Sequence, residues 1–192
     1  MRQLVVLFAM LVTNSAFAAK FSLDHAHSEV GFEVKHLVLF DVKGRFDKFS
    51  GEFEFDDKTG NLTNVMATIE ADSINTNEPD RDKHLRSADF FETSKFKTIT
   101  FKGKKVNKSG NKPVSISGDL TIHGVTKPVT LNLEYQGIAQ DAWGNTKLGF
   151  KATGEIDRKE FGLTWNKKLD KGGLAVGEKV KIIIAGQAGQ KK

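Results

Sequence analysis

The sequence predicts an all-β protein, an antiparallel barrel of about eight strands with one short helical excursion. Three observations predict it. Apolar residues recur with a period of two along most of the chain, turns rich in Gly and Asn separate the runs, and a single stretch, residues 79 to 94, breaks the pattern. Successive side chains of a strand point to opposite faces, so each alternating run reads as half buried. Closure into a barrel is favoured over a sandwich because closure leaves no unpaired edge.

The first run spans Ser28 to Leu39, with Val30, Phe32, Val34, His36 and Val38 on one face and Gly31, Glu33 and Lys35 on the other. The second sets Phe49, Gly51, Phe53 and Phe55 against Glu52 and Glu54, and the third sets Val65, Ala67, Ile69 and Ala71 against Thr68, Glu70 and Asp72. Ile99 with Phe101 follows, then Ile116 to Ile122, Val129 to Tyr135, Leu148 to Ile156, and Val180 to Ile184. Asp56 to Asn61, Asn107 to Asn111, His123-Gly124 and Trp143-Gly144-Asn145 supply residues that tolerate positive φ, so each joins antiparallel neighbours. Between Pro79 and Ser94 the polar density rises, and Asp80 and Asp82 are placed to cap a short helix carrying Leu85. Within that excursion, "RDKHLRSADFF" (81 to 91) offers Leu85, Phe90 and Phe91 as apolar plugs, and Arg81 and Arg86 as partners for Asp82, Asp89 or carboxylates of nearby turns. The segment reads as a cover over the barrel mouth.

Residues 1–18 have the form of a signal peptide: a basic residue, the apolar run Leu4 to Val12, and the small-x-small ending Ala16-Phe17-Ala18. Cleavage there leaves 19–192 as one domain and, in a Gram-negative cell, places it in the periplasm. The chain has no cysteine, which excludes disulfides, thiol catalysis and thiolate metal sites. The net charge of +5 is modest and scattered. Lys102, Lys104, Lys105, Lys108 and Lys112 do cluster, but Gly and Asn interrupt them, so they read as a solvated hairpin and no nucleic-acid partner is expected.

Candidate catalytic groups are sparse. His25 and His27 fall on one face of an extended chain, a spacing that metal sites use, and His36, His84 or His123 could add a third ligand. The competing reading is structural: His27 and His36 hydrogen-bond near the ends of the first strand. There is no Gly-x-Ser-x-Gly, no glycine loop in the setting that cradles phosphate, and no recognisable pair of inward carboxylates.

Aromatic usage is the informative oddity, with fifteen Phe against one Tyr and two Trp. A Phe ring brings a large apolar area and no group that demands a hydrogen bond. Strand parity turns Phe32, Val34, Phe53, Phe55, Ile69, Phe101, Ile116, Leu120, Leu131, Leu133, Phe150 and Ile182 inward, and these are the candidate ligand-binding wall. A barrel of about eight strands has room either for its own side chains or for one small ligand, so composition leaves a solid and a hollow interior both open.

Three blocks carry a family resemblance: "DHAHSEVGFEVKHLVLFDVKGRFDKFSGEF" (24 to 53), "RDKHLRSADFFETSKFKTITF" (81 to 101) and "ISGDLTIHGVTKPVTL" (116 to 131). They resemble the signature blocks of the YceI-like proteins, secreted bacterial proteins that bind lipids or polyisoprenoids. The likeness runs from about Phe21 to Ile184 and keeps the family's block order. It implies an extended antiparallel eight-stranded lipocalin-like barrel holding a long-chain isoprenoid or fatty-acyl lipid in an apolar tunnel, with no cofactor and no catalysis. Transient membrane contact and a homodimer are compatible with it. Two other readings stay open: a metal-dependent enzyme built on His25 and His27, and a ligand-free barrel acting as a stress-related interaction protein.

Overall fold

The computed structural model describes residues 18–169 and 173–191. The expected signal peptide, Ala18 apart, lies outside the described residues. In chain order the elements are β1 (Ala19–Leu23), β2 (Glu29–His36), β3 (Phe40–Phe46), β4 (Phe49–Asp56), β5 (Asn61–Glu70), β6 (Ile74–Asn75), α1 (Pro79–Arg86), β7 (Thr98–Ser109), β8 (Lys112–Ile122), β9 (Val125–Gln140), β10 (Thr146–Asp157) and β11 (Val176–Gln190).

Hydrogen bonding closes β1, β4, β5, β7, β8, β9, β10 and β11 into an eight-stranded antiparallel barrel, as β1 pairs both β4 and β11. The long β11 serves two partners. Its C-terminal part pairs β1 through Leu23 and Ala188, and its earlier part pairs β2 through Val30 and Ile184. β1 and β2 are therefore two halves of one bent strand, and β2, β3 and β6 extend the wall toward the lower end.

The bend is a 3-10 turn at His25–His27, capped by Asp24, whose side chain accepts from Ala26 N–H. This corrects the extended chain expected for the His25-Ala26-His27 stretch. Asp24 also takes Lys147 Nζ at 3.0 Å and His27 Nδ1 at 3.1 Å. Those contacts, Lys147 first, hold its carboxyl at about 2 against an ordinary 3.8. A polar knot with a strand on each side suits the bend, because the backbone leaves the ladder there and needs other partners.

Most turns follow their expected chemistry. His123 (φ 51) and Gly124 (φ 75) form a two-residue hairpin between β8 and β9, and Gly110 (φ 58) turns β7 into β8. The β2–β3 hairpin does not. Leu37 (φ 52) and Val38 (φ 62) adopt left-handed backbone without a Gly or Asn, so the strand expected to run to Leu39 stops at His36. Such residues cost about 1–3 kcal/mol each and persist only when surroundings impose them. Leu37 N–H donates to Ala175 O at 2.9 Å, which is part of that imposition.

The cover is α1 with the loop that follows it. Pro79 opens the helix at a position with no intrahelical acceptor for an N–H, and the cap is Glu78, whose carboxylate accepts from Asp80 and Arg81 N–H. Of the two expected caps, Asp82 acts elsewhere. Asp82 is buried and accepts from Thr76 N at 2.9 Å and Thr76 Oγ1 at 2.6 Å. Arg81 bonds Thr76 Oγ1 and Thr76 O and, among the described residues, no carboxylate, while Arg86 bonds the carbonyls of Asp72 and Ile74 with the Asp72 carboxylate 3.5 Å away. Segment 71–76 leaves the ladder of β5 here and pairs β3 through Ile74 and Asn75, and its remaining free backbone groups are what these side chains satisfy.

Candidate ligand-binding tunnel

The barrel encloses a cavity of about 270 Å3, lined almost wholly by apolar atoms. All twelve residues singled out by strand parity border it: Phe32 and Val34 from β2, Phe53 and Phe55 from β4, Ile69 from β5, Phe101 from β7, Ile116 and Leu120 from β8, Leu131 and Leu133 from β9, Phe150 from β10 and Ile182 from β11. The elongated space runs from Leu62, Phe55 and Tyr135 at the upper end to Val34, Val176 and Arg158 at the lower.

The rings sit against glycines that make room for them. Phe32 lies opposite Gly44 in register, and a Cβ added at Gly44 would meet the ring at 2.3 Å. Phe150 lies opposite Gly186, where the same atom would meet the ring at 2.5 Å, and Phe101 reaches Gly118 on the neighbouring strand at 2.7 Å. A side chain at any of these glycines would have to displace a ring. Phe53 meets Phe150 edge-on with centroids 6.1 Å apart and stacks on Phe21 at 5.6 Å, both favourable aromatic geometries.

Three buried groups of side chains surround the space. Phe21, Phe53, Phe55, Leu148 and Ala188 pack the upper end, Ile116, Leu131 and Ala152 the waist, and a cluster containing Phe46, Ile74, Ile99, Leu120, Phe161 and Leu163 the lower end. From the cover, Leu85, Phe90 and Phe91 also border the cavity, as the plug reading expects. His84 and Phe90 flank Trp165, with centroid distances of 4.8 Å and 5.2 Å to its ring.

Two polar groups mark the ends. At the top the Tyr135 hydroxyl donates to the Asp57 carboxylate, and burial, then that carboxylate, pushes the phenol pKa upward. At the bottom Arg158 is only 3 % exposed. Its Nε donates to Gly177 O at 2.8 Å, Nη1 to Leu163 O and Nη2 to Val176 O at 3.3 Å. Burial lowers its pKa, with Glu178 and Asp157 acting in the opposite direction. Parity reasoning put Tyr135 at the end of the inward run from Val129 without adding it to the candidate wall, and passed over Arg158, which continues the inward series Leu148 to Ile156.

A second hollow lies on the outer face of β4 and β5 and shares Leu23, Phe49, Gly51 and Met66 with the tunnel lining. It falls where β4 has lost β1 and β3 has not yet met β2, since paired residues end at Ser22–Glu52 on one side and Val30–Phe46 on the other. His25 spans that gap, with Nε2 2.7 Å from Asp47 O and its ring stacked on Phe49 at 4.9 Å.

The remaining histidines are scattered. His27 bonds Asp24, as the structural reading expects. His36 does not behave as expected: its Nδ1 is buried with no hydrogen-bond partner among the described residues, and the ring meets Phe40 edge-on at 5.4 Å. The tight turn diverts the carbonyls nearest it, with Leu39 N–H bonded to His36 O and Leu37 N–H to Ala175 O. Among the described residues no three His, Asp or Glu side chains gather closely enough to share a metal ion.

Comparison with known proteins places this architecture. The model of the YceI-like domain matches residues 21–188. The YceI protein of Salmonella newport is 39% identical over 185 residues, covering 95% of this chain and 93% of its own. The crystal structure of Campylobacter jejuni YceI superposes with a TM-score of 0.72 at 35% identity, over 88% of this chain and 97% of that one. A polyisoprenoid binding domain from Saccharophagus degradans shares the fold at 17% identity, with a TM-score of 0.65 over 91% of this chain and 99% of its own. A matched domain spanning nearly the whole barrel, a relative at that identity over almost its full length, and the closed eight-stranded architecture agree: the chain belongs to the YceI-like family.

Proposed function

We propose that the protein is a periplasmic carrier that holds one long-chain isoprenoid or fatty-acyl lipid in the barrel tunnel and performs no catalysis. The observation that carries this reading is the tunnel itself, an elongated apolar space walled by Phe rings on several strands. Burial alone supplies affinity: at about 25 cal/mol per Å2, a chain hiding several hundred Å2 gains on the order of 10 kcal/mol before ordering costs. The fold likeness to a polyisoprenoid binding domain supports the same class of ligand. The export expected from residues 1–18 supports the compartment.

A carrier must meet a membrane to load. The β2–β3 tip offers the contact, because Val38, Leu39 and Phe40 are 70%, 79% and 53% exposed and stand together beside the lower end of the tunnel. Insertion of three such side chains into the lipid interface buries area that is otherwise exposed to water, and the imposed left-handed backbone keeps the tip presented.

The test is uptake of a fluorescent long-chain fatty acid by the delipidated protein, with a charge placed on each face of the wall. Phe101→Asp and Phe150→Asp put an unpaired carboxylate into the tunnel, which costs several kcal/mol, and are expected to lower uptake at least about a hundredfold. Thr153→Asp on the exposed face of β10 is expected to change uptake less than about twofold. Equal effects at the three positions, in variants that keep the wild-type circular dichroism, would contradict the tunnel as binding site.

A further inference from the structure

Arg158 is the one charged side chain that is both nearly fully buried and on the tunnel lining among the described residues. A guanidinium has five N–H donors. Carbonyls of Gly177, Leu163 and Val176 accept one each from Nε, Nη1 and Nη2, which leaves one N–H on each terminal nitrogen. Among the described residues no salt bridge pairs Arg158 with a carboxylate. The two acidic neighbours are engaged elsewhere, Glu178 by Lys159 at 2.6 Å and Asp157 by Lys179 at 3.7 Å.

Carbonyl dipoles satisfy donors but do not cancel a charge. A buried cation without an anion is costly, and removing a methylene-rich Arg in favour of an apolar residue would be the cheaper way to close a barrel end. The surroundings of Arg158, which opens the 3-10 turn Arg158–Phe161 just after β10, otherwise follow that cheaper rule, with Ile156 near the end of β10 on the tunnel lining and Phe161 and Leu163 packed in the lower cluster. Arg158 therefore brings a buried positive charge to the border of an otherwise apolar tunnel.

We propose that Arg158 is the head-group site of the tunnel and that the bound lipid carries an oxyanion, a carboxylate or a phosphate, received by the two unused N–H groups. This rests on the lipid-holding reading above and sharpens it. The apolar chain then runs upward from Arg158 past Phe32, Phe101 and Phe150 toward Tyr135, and the ligand is oriented head down, next to the exposed β2–β3 tip. With one N–H to spare on each terminal nitrogen, the guanidinium has a donor for each of two oxygens of one oxyanion, the kind of pairing that favours Arg at carboxylate and phosphate sites. A neutral alcohol of the same chain gains the burial of its tail and forfeits the charge pairing.

The experiment uses the delipidated mature protein and two matched pairs of probes, palmitic acid with hexadecanol and geranylgeranyl phosphate with geranylgeraniol. Within each pair the ratio of Kd values isolates the head group. The oxyanion member of at least one pair is expected to bind about tenfold tighter or more, and the pair with the larger ratio identifies the head as carboxylate or phosphate. In Arg158→Gln that ratio is expected to fall toward one, and in Arg158→Lys to survive in part, since Lys keeps the charge without the fork. Ratios near one in the wild-type protein overturn the proposal, and so does a ratio unchanged in Arg158→Gln. Should Arg158→Gln fail to fold, the wild-type ratios and Arg158→Lys decide. If no member of either pair binds the folded wild-type protein, the lipid-holding reading falls and the head-group site falls with it, whereas tight but head-blind binding defeats the head-group site alone.

Discussion

Phe101 in the barrel wall faces the tunnel because its strand does: β5 and β8 hold β7 on both sides, and parity leaves the ring no other direction. Phe90 and Phe91 in the cover face the same tunnel with no ladder to hold them. Their loop is fixed by particular side chains. Arg81 donates to Thr76 Oγ1, Thr76 Oγ1 donates to buried Asp82, and Arg86 clamps the carbonyls of Asp72 and Ile74. The wall thus distributes its anchoring over many equivalent backbone bonds, and the cover concentrates it in a few polar contacts. A single side chain should therefore be able to release the cover, while a single change in the wall should deform the tunnel without opening it.

The sharpest way to break that contrast is Asp82→Ala. It strands the buried Thr76 N–H and hydroxyl, and the expected loss is about 3 kcal/mol of stability by chemical denaturation. Amide exchange should rise over residues 76 to 96 and stay at the wild-type level in β8 to β10. Uniform acceleration across the barrel would show the cover to be one cooperative unit with the wall. The wall counterpart is Gly186→Val, which forces Phe150 off its glycine seat and into the tunnel. Overpacking of this kind costs about 1–3 kcal/mol, so a smaller stability loss is expected together with a shorter maximal chain length in uptake assays. Unchanged length selection would mean that Phe150 finds another place to lie.

The same contrast explains what could be read from the sequence. Alternation identified the barrel and turned twelve residues toward what is the cavity, because period two is the geometry of a strand and needs no tertiary information. It placed Tyr135 on the inward face as well, and it even contained Arg158, which continues the inward series at Ile156, but a charged residue at an inward position reads as the end of a strand. The β2–β3 turn was illegible for the opposite reason. Leu37 and Val38 carry no turn chemistry, and their left-handed backbone is imposed from outside the hairpin. In the cover, Asp82 sits where a helix cap is expected, and only the path of segment 71–76 makes it the acceptor for Thr76 instead. His25 likewise needed the gap between β1 and β4 to acquire its role against Asp47 and Phe49. Local period is written in the chain; the partners of irregular backbone are written in the fold.

The central claim is that this apolar space exists to hold a lipid chain, and native mass spectrometry of the protein purified from the cells that make it, followed by organic extraction, tests it most directly. One long-chain isoprenoid or acyl lipid per barrel is predicted, present in the wild-type protein and missing from folded Phe101→Asp. A folded wild-type protein that carries no lipid when isolated, and takes up none when long-chain lipids are added to it, would contradict the account.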